Sequence, residues 1–195
     1  MEKLTYIIAG LGNPGRQYRN TRHNAGFILI DHLVEAYKIR LSKMQFNAIT
    51  GTIEMESARV ILAKPQTFMN LSGQSVAGLV RFYKVPLEQL LVAHDDIDLP
   101  IGTLRIRPGG GAGGQKGLAS TIERLGTQEF PRMRIGIGRP NGTQDAAGYV
   151  LQEFSSADIR ILQEVFPQAV QAVQAFVTDG LQTAMNRFNG SIGQE

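Results

Sequence analysis

Cysteine is missing altogether from this 195-residue chain, which excludes disulfides, thiol nucleophiles and cysteine-ligated zinc and is compatible with the cytosol. Long apolar runs are missing too. The stretch from Met1 to Gly10 carries Glu2 and Lys3 and is too short for the apolar region of a secretory signal, far less for a bilayer span. Neither export nor a membrane is expected, so the Asn-Xaa-Ser/Thr matches at Asn70, Asn141 and Asn189 are read as chance. Internal repeats and low-complexity linkers are also lacking. With 43% hydrophobic residues the chain can bury a core without staples, and residues 1–195 read as a single domain.

Excess charge is small, with a formal net charge of +3 and a pI near 9.3, so its distribution matters more than its total. Between Arg105 and Arg139 seven basic residues (Arg105, Arg107, Lys116, Arg124, Arg132, Arg134, Arg139) stand against two acids, Glu123 and Glu129. That local excess suggests a polyanion, with a merely solvated face as the plain alternative.

Apolar periodicity gives the organisation. Leu4 to Ala9 is an apolar run ending at Gly10 and reads as a buried strand, whereas Phe27, Ile30, Leu33, Val34 and Tyr37 recur at helical spacing. The polar stretch between them, Leu11 to Asn24, is a loop. Phe46 to Met55 and Arg59 to Ala63 read as a strand pair. Ser72 is placed to cap a helix with Val76, Leu79, Val80 and Tyr83 on one face, and Pro86 lies beyond its end. Leu90 to Ala93, Thr103 to Arg107 and Met133 to Ile137 follow as strands, with a glycine loop from Gly109 to Gly114 and a helix from Leu118 to Leu125. From Ser156 to Phe188 the pattern is helical, interrupted at Pro167 and broken near Gly180. Alternating strands and helices predict an α/β sheet covered on both faces.

Gly10-Leu11-Gly12-Asn13-Pro14-Gly15 satisfies the G-x-G-x-x-G dinucleotide pattern, and Asp31 stands where a ribose acid would be sought. A dinucleotide turn feeds a helix at once, however, whereas Arg16 to Arg22 is polar without an apolar face, and Asp31 falls inside the following helix. An NAD-dependent enzyme is therefore disfavoured, although the loop amides could still bind phosphate. His23 sits in this polar loop, where it can meet solvent. Asp95, at the end of a strand, is its first candidate partner, because a carboxylate on one imidazole nitrogen fixes the tautomer and frees the other to take a proton. No serine or cysteine nucleophile is evident, so water is the natural attacker. Asp95, Asp96 and Asp98 could equally form a solvated turn before Pro100 or a magnesium site. Asn70 stands near a helix start, where an amide can orient water or an oxyanion; Phe68 and Met69 read locally as core. The second glycine loop can expose amides and deliver Lys116 to an anion. Lys64, His32 and His94 carry less weight.

Taken in order, Gly10 to Gly15, Thr21-Arg22-His23-Asn24-Ala25-Gly26, Thr67-Phe68-Met69-Asn70-Leu71-Ser72-Gly73, Ala93-His94-Asp95-Asp96, the Gly109 loop and Arg134-Ile135-Gly136-Ile137-Gly138 closely resemble bacterial peptidyl-tRNA hydrolase. The likeness runs from about Leu4 to about Asn189, and Phe176 to Gly180 fits as well. It implies a monomeric, single-domain three-layer α/β/α fold with a central mixed, mostly parallel sheet. It also implies a cytoplasmic, cofactor-free esterase that needs no obligate protein partner and cuts peptides from tRNA dropped by ribosomes. By the same resemblance His23 is the general base, Asp95 supports it, and Asn13 touches the blocked aminoacyl group. Tyr18, Phe68, Met69 and Asn70 would contact substrate near the scissile ester, and Arg105 and Arg134 would clamp the 5′ phosphate of the acceptor stem. Many relatives carry His-Asn where this chain has Gln115-Lys116. Lysine cannot accept a hydrogen bond, but its ammonium could stabilise an oxyanion or bind a ribose or phosphate oxygen, and it would disfavour protonation of a nearby His23. A plant organellar intron-splicing factor resembles the same family, so a non-catalytic RNA-binding protein of the same fold is the alternative; turnover separates the two.

Overall fold

The computed structural model describes residues 3–55 and 57–192. At its centre β1 (Leu4–Gly10) pairs in parallel with β4 (Ala58–Pro65) on one side and β5 (Leu90–Asp96) on the other, and β7 (Arg132–Gly136) continues in parallel beside β5. The flanks are antiparallel: β3 (Ala48–Glu54) joins β4 and carries β2 (Lys43–Gln45), while β6 (Thr103–Arg107) joins β7 and carries β8 (Gly190–Ser191). Among the described residues the sheet has eight strands in the order β2-β3-β4-β1-β5-β7-β6-β8. Six of the eight run one way, with β3 and β6 reversed.

Side chains alternate across a strand, so each central strand feeds both faces. Ile8, Leu62, Leu91, Ala93 and Ile135 join one apolar cluster with α1 (Ala25–Ala36), α5 (Ser156–Thr178) and α6 (Leu181–Phe188). Ile7, Ala9, Ile61, Leu90 and Val92 join the other with α2 (Ser72–Tyr83) and α3 (Lys116–Leu125). Burying each large aliphatic side chain contributes roughly 1.5–3 kcal/mol. The three expected layers are therefore present. On the α2–α3 side the clusters stop short of β6, where Arg105 and Arg134 face each other across the β6–β7 ladder.

Several sequence expectations are corrected. Phe46 does not begin a strand: Phe46 and Asn47 both have positive φ and form the tight turn between β2 and β3. Ser72 is not a cap but the first residue of α2; its hydroxyl donates to the Met69 carbonyl at 2.8 Å. Pro167 does not interrupt α5, because it lies on the exposed face, where the carbonyl it leaves unbonded can meet water. The expected break does fall at Gly180, which has φ 91° and is the N-cap residue of α6. A short helix, α4 (Ala146–Val150), was not anticipated; Asp145 caps it through the Gly148 N–H at 2.6 Å.

One contact fixes how the first helix meets the sheet. A Cβ on Gly26, the second residue of α1, would lie 2.4 Å from both the Ala93 carbonyl oxygen and the Leu11 nitrogen, and one on Gly10 would lie 2.2 Å from the Gly26 oxygen. Only hydrogen fits there. The first glycine loop thus serves close helix–strand packing, and two of its amides are taken, Leu11 N–H by Ala93 and Asn13 N–H by Asn24 Oδ1. Asp31 pairs with Lys64. These contacts leave no dinucleotide cradle of the expected kind.

Candidate active site

His23 occupies a single 3-10 turn, Arg22–Asn24, immediately before α1. Its two neighbours are the anchors. Arg22 is buried, donates to the Glu153 carbonyl at 2.8 Å and to Asp158 Oδ2 at 3.1 Å, and lies 4.4 Å over the Tyr149 ring. Asn24 is buried and exchanges two hydrogen bonds with the Asn13 backbone, at 2.8 and 3.0 Å. With both neighbours held inward, the His23 side chain keeps 12% exposure at the wall of a cleft.

β5 runs three residues past its expected end, to Asp96, and delivers Asp95, nearly fully buried, to the same wall. His23 Nδ1 lies 2.9 Å from Asp95 Oδ2. A carboxylate there only accepts, so Nδ1 carries the hydrogen and Nε2 is left with its lone pair. The pair is what the sequence predicts. Asp95 Oδ1 is not idle: it accepts from Gln115 Nε2 at 3.0 Å.

The cleft has a volume of about 670 Å³ and gathers Asn13, His23, Phe68, Met69, Asn70 and Asp95 with Lys116. Asn13 Oδ1 accepts the Met69 N–H at 2.8 Å, which assigns the oxygen and leaves the –NH₂ end for the cleft. Phe68 is not core but 59% exposed, a platform at the rim, whereas Met69 is buried as the local reading expects and still forms part of the floor. Asn70 is exposed beside it. Lys116 is exposed at the first residue of α3, where the helix dipole disfavours a cation and both favour an anion. Tyr18 ends a neighbouring 3-10 turn, half-buried, and is not among the residues lining the cleft.

The basic residues have different partners. Arg132 faces no solvent: it is 2% exposed and its guanidinium binds the carbonyls of Gln128, Phe130, Gly110 and Gly111, fastening the start of the glycine loop. Arg139 pairs with Asp98, and Arg134 Nε donates to Asp96 Oδ2 at 2.6 Å. Arg105, opposite Arg134 in the ladder, is half-exposed. Neither lines the cleft; Arg134 is joined to it through Asp96, which does. Asp96 and Asp98 are thus engaged with arginines, and among the described residues no cluster of three or more His, Asp or Glu could hold a metal ion. No described helix is long and apolar enough to cross a membrane.

Sequence reasoning missed Gln115 as a ligand of Asp95; the departure from His-Asn was its only trace. It also missed the cleft wall formed by Ala146, Ala147, Val150 and Leu151, whose short helix has too few residues for a period. Of the other histidines, His32 stacks on Phe166 at 4.9 Å, and burial lowers its pKa below the usual value. His94 is wholly buried on the opposite side of β5 from Asp95; its Nδ1 donates to the Asp95 carbonyl at 2.7 Å, and burial lowers its pKa.

A mixed α/β sheet that brings a histidine–carboxylate pair to the wall of a cleft is an arrangement able to serve hydrolysis by general-base chemistry. Comparison with known proteins makes this specific. The family model described as peptidyl-tRNA hydrolase matches residues 7–195. A peptidyl-tRNA hydrolase of Carboxydothermus hydrogenoformans is 48% identical over 184 residues, covering 94% of this chain and 98% of the relative. A chloroplastic peptidyl-tRNA hydrolase of Arabidopsis thaliana is 47% identical over 91% of this chain and 62% of its own length. The crystal structure of peptidyl-tRNA hydrolase from Acinetobacter baumannii superposes with a TM-score of 0.90 at 36% identity, covering 98% of this chain and 99% of that one. The chain belongs to the peptidyl-tRNA hydrolase family.

Proposed function

We propose that the chain hydrolyses the ester between a peptide, or an N-blocked amino acid, and the 3′ end of tRNA, with His23 as general base and Asp95 as its support. The observation that carries this reading is the 2.9 Å contact between His23 Nδ1 and Asp95 Oδ2, which points the free Nε2 lone pair toward the cleft. Nε2 takes a proton from water as its oxygen attacks the ester carbonyl, and the resulting imidazolium, stabilised by Asp95, returns the proton to the departing ribose oxygen. The carbonyl oxygen gains negative charge in that step. The Asn13 –NH₂, the Asn70 amide and Lys116 at the start of α3 are the donors at hand to meet it.

Phe68 offers an exposed ring for the terminal base or the peptide, with Met69 below it and Tyr18 beside the loop. Arg134 spends only Nε on Asp96, so its two terminal nitrogens, with Arg105, remain for the 5′ phosphate. Residues 1–195 act as one domain and as a monomer, in the cytoplasm where dropped peptidyl-tRNA forms. A binder without turnover leaves the oriented imidazole unexplained. The test is His23→Ala assayed on N-blocked aminoacyl-tRNA: turnover falls by about a hundred- to ten-thousand-fold while tRNA binding is kept. Wild-type turnover across neutral pH in that variant removes His23 from the mechanism.

A further inference from the structure

Gln115 does three things at once. It is the N-cap of α3, its Oε1 accepting the Leu118 N–H at 2.6 Å. Its Nε2 donates to Asp95 Oδ1 at 3.0 Å and also lies 3.2 Å from Met69 Sδ. The residue is 8% exposed, so none of these bonds competes much with water.

We infer that Gln115 is a positioning residue for the hydrolysis, the third member of a His23–Asp95–Gln115 relay that fixes the Asp95 carboxylate and sets how strongly it draws a proton onto His23. The inference rests on His23 being the base. Asp95 is held between two donors, His23 on Oδ2 and Gln115 on Oδ1. A carboxylate gripped at one oxygen cannot rotate away from the imidazole at the other, so Nδ1 stays the protonated nitrogen and Nε2 the basic one. The Oε1 bond to Leu118 settles which end of the amide is which: the oxygen is committed to the helix, so the –NH₂ must face Asp95. An amide neither gains nor loses a proton over the working range, so this grip does not change with pH. It also draws off part of the carboxylate's negative charge. Without it Asp95 would favour the imidazolium, and the base would need a higher pH to be free.

The other charged groups lining the cleft with His23 and Asp95 are Asp96 at the end of β5, Asp98 just after it, Lys116 on α3 and Arg139 beyond β7; the first and second carry arginine partners. None of them touches Asp95 Oδ1. Among the described residues Gln115 is the side chain that hydrogen-bonds both the first turn of α3 and the Asp95 carboxylate.

The test separates capping from positioning. Gln115→Ser keeps a good N-cap but is too short to reach Asp95, whereas Gln115→His loses the glutamine cap but restores an N–H within reach of the carboxylate. We expect kcat of Gln115→Ser to fall about ten- to a hundredfold, the worth of one charge-assisted hydrogen bond, with KM within about twofold since the bond serves orientation rather than substrate binding. The acid limb of its kcat–pH profile should move to higher pH, and Gln115→His should recover part of the loss above pH ~7.5, where a free imidazole is neutral. A serine variant with wild-type kcat, or one whose kcat falls while the acid limb stays in place, overturns the inference. Should the serine variant not fold, Gln115→Met is held to the same two criteria. His23→Ala is run alongside: turnover surviving there refutes the base, while a wild-type profile at position 115 with His23→Ala inactive refutes the role of Gln115 alone.

Discussion

Asp95→Asn keeps the volume of the side chain and changes only what it can accept. In the native cleft both carboxylate oxygens receive a donor, His23 Nδ1 at 2.9 Å and Gln115 Nε2 at 3.0 Å. An asparagine has one oxygen and one –NH₂, so one of those partners must face another donor. If the oxygen turns to His23, the amide clashes with Gln115, whose own oxygen is held by Leu118. If it turns to Gln115, the –NH₂ forces His23 into the opposite tautomer and Nε2 is no longer a base. Losing a charge-assisted bond costs about 1.5–3 kcal/mol, or roughly 10- to 150-fold in rate at about 1.4 kcal/mol per decade. A tautomer switch carries the loss toward about ten-thousand-fold. The expected outcome is therefore a kcat lower by about a hundred- to ten-thousand-fold with KM within about threefold, measured by release of N-blocked amino acid from aminoacyl-tRNA. Adding Gln115→Glu should recover about tenfold, because a carboxylate at 115 can accept from the amide at 95 and still cap Leu118. A single variant within threefold of wild-type kcat would refute this account of the pair, and a double variant no faster than Asp95→Asn would refute the competition between donors.

The clamp predicts a different kinetic signature. Arg105→Ala and Arg134→Ala should each raise KM more than they lower kcat and flatten the salt dependence of tRNA binding, but only on substrate carrying a 5′ phosphate; equal penalties with and without that phosphate end the proposal. His94 concerns stability. Burial lowers its pKa below the ordinary 6.5, so the unfolded chain takes up a proton that the folded one refuses, and stability present above pH 6.5 is lost as pH falls below it. His94→Asn, whose amide can still reach the Asp95 carbonyl, should show a shallower fall in Tm between about pH 7 and 5; an unchanged slope assigns that loss elsewhere.

The legible parts of the fold were those with a period. α1 and the central strands announced themselves because Phe27, Ile30 and Leu33, or Leu90 to Ala93, repeat over enough residues to distinguish a helix from a strand. β2 and α4 did not, being three and five residues long. Pro167 misled because a helix-breaking residue is costly only where its freed carbonyl is buried. In the site, His23 and Asp95 could be paired from chemistry and position, but Phe68 could not be told from core, since a rim aromatic and a buried one look alike in sequence. Arg132 shows the converse. Counted in the local basic excess, it is spent on four backbone carbonyls, a use of charge that only tertiary contacts reveal.

The meeting of Gly10 and Gly26 has a consequence in time rather than in space. Where side chains separate a helix from a sheet, rotamer hops let the two slide by fractions of an ångström on fast timescales. Here main chain rests on main chain: the turn carrying His23 leads straight into the residue seated on Leu11 and Ala93, two positions before Asp95. Main-chain contact of this kind holds base and carboxylate in a fixed relation that no rotamer change can relax. The Gly109 to Gly114 loop, which Arg132 fastens at Gly110 and Gly111 and which ends at Gln115, meets this unit only through side chains, so a shift of the loop need not change the distance between His23 and Asp95.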